Sequence, residues 1–90
     1  MVYIYLRFRV VDFDRWREAY DIHAAARQAG GAADAGRVLR DVADPQDVTV
    51  ILGWSDLARA RAFADSVSLK DAAQMAGVTH MTEVRYLQAA

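Results

Sequence analysis

The segment from Trp16 to Gly31, WREAYDIHAAARQAGG, holds the residues whose types and spacing come closest to chemistry. Phe13, Trp16, Tyr20, His23 or Ala24, and Arg27 recur at three- and four-residue intervals, so they share one face of a helix. Imidazole is the side chain that changes charge nearest physiological pH. A pocket-facing His23 is therefore the natural general base for taking a proton from a phenol or an activated carbon. Positions 23 and 24 straddle the face, and the plainer reading turns Ala24 inward and His23 to solvent. Arg27 offers a planar fork of donors to an enolate or carboxylate. An arginine in the last turn of a helix is, however, ordinarily solvated and favoured by the helix dipole.

Further candidates lie outside this helix. Trp54 ends an extended run where the chain leaves the sheet, a place from which it can floor or gate an aromatic ligand; the plainer reading is core. Tyr20, Phe63 and Met75 can supply apolar walls, although aromatic and methionine residues at helical spacing are more often packing. His80 falls in Val78-Thr79-His80-Met81-Thr82, read as the connection into the last strand, where loops carry function disproportionately. No cysteine, no His-x-x-x-His pair and no carboxylate cluster supports a metal, and nothing selects for haem. Gly30-Gly31 follows a helix instead of opening one, so it is a stop signal and not a phosphate loop.

The elements that must position these residues are legible from periodicity. Val2, Ile4, Leu6, Phe8 and Val10 alternate with Tyr3, Tyr5, Arg7 and Arg9, the pattern of a strand with one core face and one amphipathic face. Asp12 or Asp14 can cap the helix that carries His23 and runs on to Gly30. Arg37–Val42 and Val48–Trp54 form a hairpin around Pro45. Ser55-Asp56 caps a helix from Leu57 to about Asp65, with Leu57, Ala60, Ala64 and Phe63 inward. Ser66 or Ser68 starts a short helical piece, Leu69–Ala76, closed by Gly77, and Glu83–Leu87 is the last strand. The order β-α-β-β-α-β predicts an α+β, ferredoxin-like domain over residues 1–90. Its four-stranded antiparallel sheet carries the helices on one face and leaves the Tyr3, Tyr5 and Arg7 face uncovered.

Composition narrows the function classes. Ninety residues make one small domain that buries a modest share of its surface. Without cysteine it has no disulfides to compensate, and self-association is the inexpensive remedy. The lack of cysteine suits a reducing compartment, and a cytoplasmic location is expected. The opening MVYIYLRFRV has arginines inside its apolar run and reads as a strand, not a signal peptide. No stretch approaches a membrane span, and a net charge of −1 with dispersed arginines gives no basic stripe for nucleic acid.

Taken together, a strand-one opening followed by DFDRWREAYDIHAAARQAGG, then GRVLRDVADPQDVTVILGWSDLARARAFADS, then AGV before EVRYL resembles the small dimeric α+β barrel proteins. These are the antibiotic biosynthesis monooxygenase-like superfamily, which includes short bacterial proteins labelled cyclases. The resemblance spans nearly the whole chain, and its markers are markers of fold. It implies that two protomers pack sheet against sheet, making Tyr3, Tyr5 and Arg7 a homodimer interface, with a pocket in each protomer between sheet and helices. It further implies a cofactor-free cyclase or monooxygenase acting on an aromatic or polyketide-type metabolite. In that reading His23 and Arg27 are catalytic, and Tyr20, Trp54, Phe63, Met75 and His80 line the ligand. The competing expectation is a non-catalytic dimeric ligand-binding or accessory protein, because fold does not carry function.

Overall fold

Alternation along the first strand organises the molecule. In the computed structural model, which describes residues 1–90, β1 (Val2–Val10) buries Ile4, Leu6, Phe8 and Val10, while Tyr3, Tyr5, Arg7 and Arg9 remain half-buried on the other side. β1 is central, between β3 (Asp47–Trp54) and β4 (Val78–Gln88), and β2 (Arg37–Arg40) pairs on the outer edge of β3. All pairings are antiparallel and the order is β2-β3-β1-β4. The helices α1 (Phe13–Ile22), α2 (Ala24–Gly30), α3 (Leu57–Ala64) and α4 (Val67–Met75) pack on one face. This is the ferredoxin-like α+β sheet expected from the sequence.

The core is where the apolar stripes meet the sheet. Trp16 from α1, Ala60 from α3 and Ala76 after α4 are buried against Ile4, Phe8, Val50 and Leu52. Trp16 sits between Phe8 and Tyr20, at ring-centroid distances of 5.3 and 5.1 Å, which anchors α1 through aromatic contacts. The caps are those the sequence offers: the Asp12 carboxylate accepts from the amides of Asp14 and Arg15, Asp56 from Arg59, and Ser66 from Leu69.

Three expectations are corrected. The first helix is two helices, broken at His23. The last strand begins at Val78 and not at Glu83, so His80 lies within β4 and not in a connection. Two bulges hide that longer strand from a period-two reading: Thr82 is skipped between the pairs Arg7↔Glu83 and Phe8↔Met81, and Thr79 between Arg9↔His80 and Val10↔Val78. They set Met81 opposite Phe8. Leu57, expected inward, is 39 % exposed at the first position of α3.

The sheet's other face carries no helix. Tyr3, Tyr5 and Ile51 are half-buried there, and Leu39 and Leu87 are exposed. Two of its arginines are paired within the chain. Arg7 donates to both oxygens of Asp47, at 3.1 and 2.7 Å, and Arg9 pairs with Asp44. Both arginines hold their partners' carboxyls below the ordinary value of 3.8. A carboxyl whose pKa is depressed by folding stabilises the folded state above its unfolded value and loses that contribution as the pH falls through the folded value. Stability should therefore decline from about pH 5 downward. Asp47→Asn should be less stable than the parent at neutral pH and show a shallower acid decline, as read by urea unfolding at several pH values. An identical acid slope in the variant would remove Asp47 from that role.

Candidate functional site

Between the helices and the sheet lies a cavity of about 240 Å³, open on one side. Its floor is the sheet, through Leu6, Phe8, Val50 and Leu52, and its far wall is α4 with Leu69, Ala72 and Ala73. Fifteen of its nineteen lining residues are apolar, so the few polar groups at its edge decide what can be oriented there. Small side chains keep it open. Ala26 on α2 and Ala72 and Ala73 on α4 do not reach across to the opposite wall.

His23 and Arg27 both line this cavity, and the break between α1 and α2 explains how. The last carbonyls of a helix have no intrahelical partners. Here the Ala19 carbonyl accepts from the His23 amide at 3.2 Å and from the His23 ring Nδ1 at 2.7 Å. A side chain that bonds back four residues competes with the ladder and bends the helix. The Tyr20 carbonyl in turn accepts from Arg27 Nη1 at 2.7 Å.

The tautomer of His23 follows from its partner. A carbonyl can only accept, so Nδ1 carries the hydrogen and Nε2 of the neutral ring keeps its lone pair. The ring is exposed overall and also borders the cavity, which joins the two alternatives the sequence left open.

Arg27 departs from the solvated role usual for its position. It is 7 % exposed, and its guanidinium carbon lies 3.6 Å above the Tyr20 ring centroid. No carboxylate pairs with it. Burial lowers its pKa, opposed by Tyr20 and Asp21. Tyr20 is itself fixed, since its hydroxyl donates to the Ala35 carbonyl at 2.9 Å. Burial raises the pKa of that phenol, so it stays neutral, with its one proton already committed. A side chain on Gly36, where φ is +80°, would collide with that hydroxyl.

The remaining expected residues divide. Phe63 lines the cavity. Trp54 does not: it is fully buried, packs on Phe63 at 4.5 Å, and donates from Nε1 to the Gly30 carbonyl at 3.1 Å. It pins the end of α2 to the end of β3, and Gly31, at φ +115°, leaves space for its indole. Met75 is 76 % exposed at the end of α4, away from the cavity. His80 is exposed on β4 and lines no part of the cavity. Trp54, Met75 and His80, expected at the ligand, thus lie outside the lining of this cavity. The α4 wall was missed, and its signal is the small-residue run Ala72, Ala73 and Ala76, the counterpart of the alanines on α2.

No family model matches the sequence, and no curated protein does. Solved structures do match the fold. SnoaB from Streptomyces nogalater, a cofactor-independent oxygenase, superposes with a TM-score of 0.76 at 19 % identity, over 99 % of this chain and 92 % of that one. An antibiotic biosynthesis monooxygenase superposes with a TM-score of 0.72 at 15 % identity, over 100 % and 99 %. A conserved protein from Methanosarcina mazei gives 0.64 at 14 %, over 99 % and 92 %. The chain thus has the fold of the antibiotic biosynthesis monooxygenase structures along its whole length.

Removing the indole N–H of Trp54 tests its reassignment. Trp54→Phe should lower unfolding free energy by about 2–4 kcal/mol through lost volume and the unpaired Gly30 carbonyl, and leave the affinity of any cavity ligand within about twofold. A large affinity loss at unchanged stability would return Trp54 to the ligand wall.

Proposed function

We propose that this protein is a small homodimeric enzyme of the monooxygenase-like kind that handles an aromatic or polyketide-type metabolite, without a bound metal or organic cofactor. The observation that carries the proposal is the apolar cavity edged by one imidazole with a free Nε2 and one guanidinium with no acid partner. Likeness of fold to a cofactor-independent oxygenase supports the same reading.

The chemistry follows from those groups. An aromatic ring fills the cavity, and Nε2 of His23 accepts a proton from a phenol or an activated carbon at its edge. The resulting phenolate or enolate is stabilised by Arg27 in a site with little water, where charge attraction is stronger than in bulk. Tyr20 contributes the surface on which Arg27 rests and not a proton, its hydroxyl being committed to Ala35. The electron-rich ring is then the nucleophile in ring closure, or the electron donor when dioxygen is the co-substrate.

A second reading has its own observation. The outward exposure of the His23 ring suits a carrier that binds the same class of ligand without turning it over. Oxygen uptake with a panel of hydroxylated aromatics separates the two. The enzyme reading expects turnover, and His23→Gln should lower kcat by about 10²–10⁴-fold with KM little changed. Full turnover in the variant would take His23 out of the mechanism, and binding without turnover by the parent would favour the carrier.

The homodimer part of the proposal concerns the uncovered sheet face. Tyr3, Tyr5 and Arg7 lie there beside Ile51, Leu39 and Leu87, a mixed apolar and polar surface that a second copy can cover by symmetry. Light scattering at micromolar concentration should report twice the chain mass of 10.0 kDa, and Tyr5→Asp should shift it toward monomer. A monomeric parent would refute this interface.

A further inference from the structure

We propose that the cavity's ligand is an aromatic acid of one or two rings whose resting anion, a carboxylate or an ionised phenol of similar acidity, is received by Arg27. The inference rests on the small-molecule reading of the cavity above and adds the charge and size of what occupies it.

Charge comes from an unbalanced account at Arg27. Taking a guanidinium out of water is costly unless a counter-ion or several acceptors replace the lost hydration. Arg7, Arg9, Arg17, Arg59 and Arg85 each have an aspartate or glutamate as partner, and Arg15, Arg37, Arg40 and Arg61, which have none, are exposed to water. Arg27 is the buried one, and it has none. Within the chain its compensation is the Tyr20 carbonyl, through Nη1, and the Tyr20 ring face. Nε and Nη2 make no hydrogen bond within the protein, yet no buried side-chain nitrogen or oxygen is left without a partner. These two nitrogens therefore keep some access from outside. The residue that carries them lines the cavity, and this pair of donors, coplanar in the guanidinium, is assigned to an anion entering there.

Size and polarity come from the cavity. At about 240 Å³ it lies just below the usual range of about 300–1,000 Å³ for small-molecule sites. Packed at interior density it accepts roughly ten non-hydrogen atoms, which is one ring or two fused rings. A larger multi-ring molecule would have to project from the open side. The polar groups the walls offer an anion are Arg27, His23 and the Ser68 hydroxyl, of which the guanidinium alone carries a fixed charge: the Tyr20 hydroxyl donates its hydrogen bond to the Ala35 carbonyl, and Ser66 bonds to the Phe63 carbonyl and the Leu69 amide. No aspartate or glutamate lines the cavity to repel an acid. The occupant is thus apolar over most of its surface and anionic at one end.

Calorimetric titration with 2-naphthoate and with its neutral isostere 2-naphthamide reads the proposal directly. The parent protein should bind the acid at least about tenfold more tightly than the amide, the range expected of a hydrogen-bonded charge pair. Arg27→Gln should abolish that preference, bringing the acid's affinity down to that of the amide in the same variant, and Arg27→Lys should retain part of it. The comparison between the two ligands on the parent protein does not depend on either variant folding. Equal affinities in the parent, or a preference that survives Arg27→Gln, would overturn the anion assignment and leave the aromatic cavity standing. Failure of both ligands to bind at millimolar concentration would overturn this inference together with the reading on which it rests.

Discussion

Burial of the Arg27 guanidinium against the Tyr20 ring is the interaction on which the arrangement of the site depends. It gives a carbonyl at the open end of α1 a partner and leaves a cation at the edge of an apolar space. Each of its supports is itself fixed. Tyr20 is held flat by Trp16 on one side and by the Ala35 carbonyl at its tip, with Gly36 bare beneath the hydroxyl. The far end of α2 is tied to β3 by the Trp54 indole. Arg27 thus rests on a Tyr20 ring that is itself fixed at its face and at its tip, the kind of preorganisation under which a charged group gives most to binding or to a transition state.

The cavity beside it exists because two helices run out of bulk. α1 descends on the sheet with Phe13, Trp16 and Tyr20, but α2 and α4 meet it with alanines. None of the residues of α4 is fully buried, so this wall contributes less to the core than α1 does. A small domain that gives up packing there forgoes stability it can scarcely spare, since well-filled interiors are the ordinary source of it. The uncovered sheet face, where Arg7 and Arg9 are neutralised by Asp47 and Asp44, shows the opposite treatment of arginine. On that face these two guanidinia have acid partners, and the buried guanidinium at the cavity has none.

Much of this was legible in the sequence. The alternation of Val2–Val10 and the order of elements gave a sheet and helix arrangement that the structure reproduces, and the thinning of the first helix to alanine pointed to open space at its end. What failed did so for identifiable reasons. Helical periodicity placed Arg27 on the inward stripe, but a preference for solvated terminal arginines outweighed it; the stack on Tyr20 is a tertiary contact that spacing alone does not weigh. The bend at His23 comes from a ring nitrogen competing for one carbonyl, which no periodic pattern records. The bulges at Thr82 and Thr79 broke the alternation of β4 and made His80 look like a loop residue. Trp54 ends a strand, as a gating residue would, yet its indole turns to the Gly30 carbonyl.

The central claim is that the cavity between α2, α4 and the sheet is the site, with Arg27 and His23 as its polar pair. A crystal structure of the protein grown with 2-naphthoate tests it most directly. The account predicts ring density against Leu6, Phe8 and Ala73, with the carboxylate within hydrogen-bonding distance of Arg27 and the imidazole of His23 at the edge of the ligand. A ligand lodged on the open sheet face, or a cavity closed by α4 with Arg27 turned to solvent, would contradict it.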